Sequence, residues 1–579
     1  MTNSKFQIRE FDFNENTPRA IKDSNFPYKD WPVVYLIDND EQLYIGETIH
    51  PSDRMKQHWE NSERRKLKNL HIIASSDFTK SSTLDIESSL IELCSAKKGK
   101  RELQNVSNGV VTHNYANKKE FSQTSSFFTN LWYKLKDLNL VEGDIEDLKN
   151  TDLFKYSPFK ALNGEQATAR DFIISKINEK IENNKKGCIV VEGGAGTGKT
   201  ILAIYLMKLF ITNADYIVDE NVEQPLAFIN DLRNIRKNRP NLKIGYVVSM
   251  TSLRNTLGDV FKEIKGLSKN MVISPSEVQK QHYDILIVDE AHRLKKRKNL
   301  SSPGDYSNFD KTNKALGFKC NKNEEDGNQL DWIVKQSDYQ IFFYDKNQSV
   351  KPTDIDASYF ESYFNKCSMD EHKLTSQMRC MGGIYYTEYI DSILKQTAQP
   401  KEINNYDFRL FENINDFCDA MLKKEKEYEL CRIVSGYGFE WISKVPEKNE
   451  KPNPYENVED INIENRKFFW NKKSKCWPTS IEGERIIKEV GCIHTIQGYD
   501  LNYCGVIFGP EIVFRNNQIE IVKEKYYDAN GKTGASDKEL KDYIINIYSV
   551  LMTRGIKGTY VYVCDEKLRE YLKKYIITK

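Results

Sequence analysis

Hydrophobic positions along the 579 residues gather into short runs, and the texture of those runs changes along the chain. Near the amino end, 33–37 is apolar, Asp38-Asn39-Asp40 is a polar turn, and 42–46 resumes the apolar pattern. Two β-type runs around a short Asp/Asn turn predict a hairpin. It opens a small α/β module at 30–115, behind an amino-terminal extension at 1–29. Residues 116–155 are polar and mixed, carry one amphipathic stretch at 127–140, and read as a connector. From 156 onward, apolar runs alternate with helical periodicity, at 188–192, 244–249, 285–289, 340–345, 432–436, 490–495, 504–509 and 559–564. Continuous apolar strands separated by helices predict parallel sheets covered on both faces. This many runs suits two doubly wound domains, at 156–368 and 369–579, better than one. Two polar segments, 295–329 and 447–474, break the rhythm and read as surface insertions.

Composition narrows this picture mostly by exclusion. With 85 basic against 84 acidic residues the net charge is +1, so any groove for nucleic acid must be local. The 11 cysteines include no C-x-x-C pair, which argues for reduced thiols rather than a disulfide framework or a zinc site. No apolar stretch approaches the ~20 residues of a membrane helix. Residues 1–9 lack the apolar core of a signal peptide. The expectation is a soluble, cytoplasmic protein with no membrane partner.

The strongest chemical signal is Gly193-Gly194-Ala195-Gly196-Thr197-Gly198-Lys199-Thr200, which fits G-x-x-x-x-G-K-T between a strand and an apolar helix. Glycines let backbone N–H groups turn inward around phosphate oxygens. Lys199 neutralises the β/γ charge, and the Thr200 hydroxyl suits Mg²⁺. Downstream, the apolar strand ending in Asp289-Glu290 sets two carboxylates at the carboxyl edge of a sheet. Asp289 is expected in the Mg²⁺ shell and Glu290 beside the attacking water. ATP is the expected cofactor.

From about 160 to the end the chain resembles superfamily 1 helicases, through motifs in the family's order. Asn163-Gly164-Glu165-Gln166 lies where that family reads adenine, which gives Gln166 that role. Tyr344-Asp345-Lys346-Asn347-Gln348 resembles the third motif, with Gln348 sensing the γ-phosphate. Leu374-Thr375-Ser376-Gln377-Met378-Arg379 resembles the fourth, with Arg379 reaching that phosphate from the second motor domain. His494-Thr495-Ile496-Gln497-Gly498 resembles the fifth, and Tyr548 to Gly555 the sixth, with Arg554 as arginine finger. The compact insertions and the continuation Cys380-Met381-Gly382-Gly383 are most similar to the Schlafen-like branch. Ser249 to Arg254, the basic run Arg293 to Lys298 and the aromatics Tyr437, Phe439, Trp441, Phe468, Phe469, Trp470 and Trp477 are candidate nucleic-acid contacts.

The amino-terminal module resembles GIY-YIG nucleases. Tyr44-Ile45-Gly46 matches the second half of that signature, and Val33-Val34-Tyr35 the first, with Val33 in place of its glycine. Arg54 and His58 follow one helical turn apart, then Glu87 on an amphipathic stretch, then Asn105. The resemblance implies Tyr35 as general base with Tyr44 nearby and Arg54 on the scissile phosphate. It also implies His58 moving protons or orienting a tyrosine, Glu87 holding one divalent metal, and Asn105 supporting the fold or the site. A tyrosine with an ordinary pKa of ~10 needs Arg54 and the metal to favour its phenolate. One carboxylate plus waters suits Mg²⁺, with Mn²⁺ as the alternative.

The expected architecture is therefore α/β throughout: a small GIY-YIG nuclease domain plus two RecA-like parallel-sheet P-loop motor domains. The expected function is an ATP-dependent translocase or helicase fused to a metal-dependent endonuclease. Its partner is nucleic acid, DNA ahead of RNA, and its use is defence against foreign DNA such as phage. A repair nuclease-helicase and a nucleotide-gated nuclease without processive unwinding are the alternatives. The oligomeric state stays open.

Overall fold

The computed structural model describes residues 6–96, 99–105, 115, 117–194, 196–212, 228–300, 302–320, 327–345, 352–376, 380–403, 405–444, 455, 457–472, 477–481, 483–496, 501–533 and 535–578. The chain divides into two compact units, one of 1–184, 200–241 and 256–271, the other of 185–199, 242–255 and 272–579.

The first unit is built on a five-stranded sheet of β1 (Gln7–Asp12), β2 (Val33–Asp38), β3 (Gln42–Thr48), β4 (Asn69–Ala74) and β5 (Glu102–Leu103), in the order β1-β4-β2-β3-β5. β2 is buried at every position, as its unbroken Val-Val-Tyr-Leu-Ile-Asp run requires. Its only acid, Asp38, accepts from His71 Nε2 at 3.0 Å and lies 3.2 Å from Arg101 Nε. The expected β2–β3 hairpin is present and sets Tyr35 opposite Gly46. Residues 1–29 are not outside this module, because β1 pairs antiparallel with β4 along its whole length. An edge strand with one covered face shows too few apolar positions to be read as a strand. Helix Pro51–Glu60 begins on proline, and helix Lys80–Ser95 on a reciprocal Thr79–Ser82 cap. The connector is packed rather than loose. Helix Ser126–Asp137 buries Phe127, Phe128, Leu131, Trp132 and Leu135 along one stripe, and Trp132 Nε1 donates to Gly143 O at 3.1 Å.

The second unit holds two parallel sheets. In the first, β6 (Gly187–Gly193), β7 (Ile244–Val248), β8 (Val272–Ile273), β9 (Tyr283–Asp289), β10 (Ser337–Tyr344) and β11 (Met369–Leu374) run in the order β11-β6-β10-β9-β7-β8, all neighbours parallel. β11, placed in the second motor domain by sequence, is an edge of the first sheet. Its Met-Asp-Glu-His-Lys-Leu has one buried position, so no β pattern marks it.

The second sheet has β12 (Asp407–Phe411), β13 (Cys431–Ser435), β14 (Ile461–Ile463), β15 (Arg466–Trp470), β16 (Glu489–Gly491), β17 (Leu501–Phe508), β20 (Gly555–Val563) and β21 (Ile577–Thr578). Their order is β14-β15-β16-β13-β17-β20-β12-β21, and only β14–β15 is antiparallel. A separate hairpin of β18 (Ile512–Arg515) and β19 (Gln518–Ile521) turns on Asn516 and Asn517, both left-handed at φ 50° and 60°.

Three expectations change here. The run 490–495 is a strand only to Gly491, then a helical turn over Ile493–Ile496. The segment 447–474 is in part core, since Phe468 and Trp470 of β15 are buried. In 295–329, helix Pro303–Ala315 buries Phe309 with its ring 4.4 Å from that of Trp332. Among the described residues no helix is long and apolar enough to cross a membrane.

Candidate functional sites

The P-loop grows from the carboxyl end of β6. A Cβ on Gly193 would meet Thr197 Oγ1 at 2.6 Å, and Gly196 and Gly198 adopt φ 80° and 79°, which side chains disfavour. The turn brings the Lys199 ammonium back onto Gly193 O at 2.5 Å and Gly194 O at 2.8 Å. Thr197 Oγ1 also donates to Gly194 O, at 3.0 Å. β10 lies between β6 and β9, so Asp345 stands between the P-loop and Asp289 at one sheet edge. Asp345 approaches Lys199 to 3.9 Å, both side chains being about 5 % exposed.

Asp289 is fully buried and oriented on both oxygens, accepting from Tyr246 Oη at 2.9 Å and from the Glu290 N–H at 2.9 Å. Glu290 sits at φ 51°, ψ 45°, a left-handed position unusual for a side chain of its size. Its Oε2 lies 3.0 Å from His292 Nε2. Burial opposes its charge, but His292, Lys199 and Arg293 outweigh burial and hold the carboxyl far below the usual range. An ionised, strained carboxylate at the strand end suits polarising a water. Beside the P-loop a cleft of about 300 Å³ is lined by Gly194, Thr197 and Asp345 and by Thr375, Asp391 and Ser549. Sequence reasoning missed Asp391, and of the sixth motif it singled out Arg554 rather than Ser549; the Asp391 and Ser549 side chains bond each other. Nothing local marks a helix-borne Asp as facing a cleft.

Other expected residues fall elsewhere. Gln166 gives its Oε1 to the Asn163 N–H at 3.1 Å in a reciprocal helix cap, and is 1 % exposed. Thr200 is half-buried one residue into helix Lys199–Ile211. Arg554 is buried and does not line the cleft. Its charge is felt by the Cys504 thiol, which burial pushes up to about 12 against that pull. Ala195, Gln348 and Arg379 lie outside the described residues. The basic run is largely neutralised by residues distant in sequence: Arg293 by Asp354 at 3.2 Å, Lys296 by Asp356 at 2.6 Å and Arg297 by Asp310 at 2.5 Å. Phe468, Trp470 and Trp477 are core, while Tyr437, Phe439, Trp441 and Phe469 are half-buried. The Arg254 guanidinium donates to Val248 O at 2.9 Å, closing the end of β7.

The second constellation centres on the Tyr35 hydroxyl, in the first unit. His58 Nε2 lies 2.7 Å from it, and Arg54 Nε donates to it at 3.3 Å. Helix Pro51–Glu60 presents both groups because they are four residues apart. Gly46 opposite is forced, since a Cβ there would fall 2.3 Å from Tyr35 Oη. Tyr44 stacks under Arg64, 3.6 Å from its ring centre, and its ring meets His58 edge-on at 4.9 Å. Asn105 accepts from Ile45 N at 3.0 Å and donates to Ile45 O at 2.8 Å, acting as one further rung beside β3.

Burial drives the Tyr35 phenol well above its ordinary range; Arg54 pulls against it, and Tyr44 and Glu87 add to it. Burial, with Arg54 and Arg64, drives His58 well below its range. Without a metal both shifts favour the uncharged forms of Tyr35 and His58, whose Oη and Nε2 share one hydrogen bond of 2.7 Å. Glu87 is half-buried on helix Lys80–Ser95, near enough for Tyr35 to feel its charge. No group of three His, Cys, Asp or Glu side chains able to hold a metal occurs among the described residues. A divalent ion at Glu87 would need water for its other ligands, a fit for Mg²⁺ rather than zinc.

The model of the Schlafen group 3 DNA/RNA helicase domain matches residues 186–565. The chain belongs to that family. The match takes in β6 with its P-loop, Asp289-Glu290 and nearly all of both parallel sheets, so the chain carries a Schlafen-type helicase domain. The module around Tyr35 lies outside the Schlafen match. A Saccharomyces cerevisiae protein, YPL245W, is 26 % identical over 453 residues, covering 71 % of this chain and 90 % of its own. Among solved structures, Pif1 helicase from Candida albicans is 10 % identical with a TM-score of 0.26, covering 71 % of this chain and 99 % of its own. The DEAD-box helicase Mss116 bound to single-stranded RNA is 13 % identical with a TM-score of 0.30, covering 76 % and 80 %. Those scores are too low for either structure to bear on the site.

Proposed function

We propose that the chain is an ATP-driven nucleic-acid motor carrying a GIY-YIG-type endonuclease. The motor reading rests on Lys199, held over two P-loop carbonyls beside Asp345, with ionised Glu290 and oriented Asp289 at the same sheet edge. ATP phosphates would draw Lys199 from those carbonyls onto themselves. Asp289 and Thr200 are the groups suited to Mg²⁺, which supplies charge neutralisation when bound. Gln166 on adenine, Gln348 and Arg379 on the γ-phosphate and Arg554 as finger belong to the same proposal. For Arg554 it requires a rearrangement that brings a buried guanidinium to the cleft.

The nuclease reading rests on one observation: Tyr35 Oη is held between Arg54 Nε and His58 Nε2. A water attacking phosphorus would pass its proton to Tyr35 Oη as that hydroxyl passes its own to His58 Nε2. The phenolate is never formed, which answers the objection that a buried tyrosine is too weak an acid. Arg54, still charged, faces the phosphate, and Glu87 is the group for Mg²⁺ or Mn²⁺. DNA is the favoured substrate and defence against foreign DNA the favoured role, both by analogy of domain pairing.

The test is purified protein with Mg²⁺, with and without ATP, on labelled single- and double-stranded DNA and RNA. Strand-stimulated ATP hydrolysis, directional displacement and cleavage are expected. Hydrolysis without displacement of any strand or bound protein would reduce the motor to a nucleotide-gated switch. Absence of cleavage in Mg²⁺ and in Mn²⁺ would remove the nuclease.

A further inference from the structure

Two cysteines lie against each other beside the P-loop strand. Cys188 is fully buried on β6, Cys367 is half-buried just beyond helix Ala357–Lys366, and their sulfurs are 2.9 Å apart. That is closer than two sulfurs in ordinary van der Waals contact. Strand pairing produces it. The Cys188 N–H donates to Ser368 O at 3.3 Å, and β11 begins at Met369, the register partner of Cys188. A disulfide, with sulfurs about 2.05 Å apart, needs only a small further approach. The pair belongs neither to the P-loop site nor to the constellation around Tyr35.

We infer that Cys188 and Cys367 form a peroxide-sensitive dithiol site whose disulfide fastens edge strand β11 to the P-loop strand. Cys367, the more accessible of the two, attacks one oxygen of hydrogen peroxide as its thiolate. The O–O bond breaks, the expelled hydroxide takes up the proton the thiol released and leaves as water, and a sulfenic acid remains. The Cys188 sulfur then attacks that sulfur, the S–O bond breaks, and a second water departs. Overall two thiols lose two electrons and two protons, and one molecule of hydrogen peroxide becomes two of water. The adjacent thiol competes with over-oxidation because it is already in place.

The consequence for turnover rests on the ATPase reading; the chemistry does not. β6 and β11 run in register from Cys188–Met369 to Gly193–Leu374, and a Cβ on Gly193 would lie 3.2 Å from Leu374 Cβ. Among the described residues β11 has β6 as its only neighbour in the sheet, and its end, with Thr375, lines the cleft beside the P-loop. A covalent bond at one end of this pair of strands restrains β11 where it meets the P-loop at the other.

The test uses the full chain, reduced, then exposed to graded hydrogen peroxide, alkylated and digested without reductant. The expected product is a linked peptide pair containing Cys188 and Cys367, with the mass of two hydrogens lost. It should appear before the exposed Cys320 is over-oxidised and be absent from Cys367→Ser. ATP turnover should fall about fivefold or more, return with dithiothreitol, and resist peroxide in Cys367→Ser. Sulfinic acid at either cysteine, or two reduced thiols, without the linked peptide would overturn the site. A linked peptide with unchanged turnover would overturn the restraint on β11. A reduced protein that never hydrolyses ATP fails the ATPase reading and leaves the peptide result to decide the site.

Discussion

The amino-terminal constellation and the P-loop both hold a basic side chain that would meet a phosphate, and they hold it differently. Arg54 is braced against Tyr35 and Gln57, with Tyr35 in turn on His58, so each group already points where a reaction would need it. Lys199 instead rests on Gly193 and Gly194, carbonyls of the very loop it would leave when a triphosphate arrives. One basic group is braced by other side chains; the other is held by the backbone of its own loop. Fixed geometry suits proton transfer, which tolerates little misplacement. A self-occupied lysine suits a cycle in which binding and release do the work.

The comparison predicts that single substitutions stay local. Tyr35→Phe keeps the packing against His58 but removes the relayed proton, so cleavage should fall by as much as ~10⁴-fold with ATP hydrolysis intact. Parallel assays of both activities check this, and a variant that still cleaves at the wild-type rate breaks the relay. Lys199→Ala should do the reverse, lowering ATP turnover about 10³-fold while ATP-independent cleavage persists. If both activities vanish in that variant while its thermal melt is unchanged, the sites are coupled rather than separate.

Two buried groups, His58 in the amino-terminal constellation and Glu511 in the domain of the second parallel sheet, should answer acid in opposite senses. His58 has a depressed pKa, so the unfolded chain binds the proton first, and the stability it contributes is lost as pH falls below the ordinary histidine value of about 6.5. Glu511 is the opposite case. It is fully buried, accepts from Tyr548 Oη at 2.6 Å, and burial pushes its carboxyl up to about 7. The folded state then holds the extra proton, so stability is present below about 4.5 and declines as pH rises toward 7. Glu511→Gln should remove that decline, gaining about 3 kcal/mol at pH 8 relative to pH 4. Denaturant melts across that range test it, and an unchanged pH slope would refute it. The smallest effect should come from Gly46→Ala, whose methyl collides with the Tyr35 hydroxyl. A loss of about 2 kcal/mol is expected, with cleavage falling more than stability, because the displaced group is the reacting one.

Legibility in the sequence followed the range of the interactions. The P-loop, the acidic pair and the β2–β3 hairpin announced themselves because each is a local geometry with its own residue pattern. Tyr35, Arg54 and His58, taken from ordered motifs, lie within hydrogen-bond reach of one another, while Asn105 bonds the Ile45 backbone beside Tyr44. What stayed hidden depends on partners remote along the chain. β1 and β11 are edge strands with one side to cover, so their alternation is too sparse to read. The run from Arg293 to Lys298 looked like an open basic face until Asp310, Asp354 and Asp356 met it. Gln166 fits both a base-reading amide and a helix cap, and only coordinates could show its oxygen on Asn163. The Tyr35–His58 pair was expected, but not the burial that pushes the Tyr35 pKa up and the His58 pKa down, since burial is not a property of a motif.

The Asn105 amide makes the seating of the strand that carries Tyr44 depend on the chemical integrity of one side chain. It is held by one donor and one acceptor of the same residue, so hydrolysis to aspartate would leave a carboxylate facing the Ile45 carbonyl. An ageing reaction that adds a single dalton would thus unseat the strand that carries Tyr44. Val106 follows in the sequence, and its branched side chain hinders the backbone nitrogen attack that begins such ageing. Shelf life at this position is therefore governed by the neighbour that follows it, and a glycine there would shorten it.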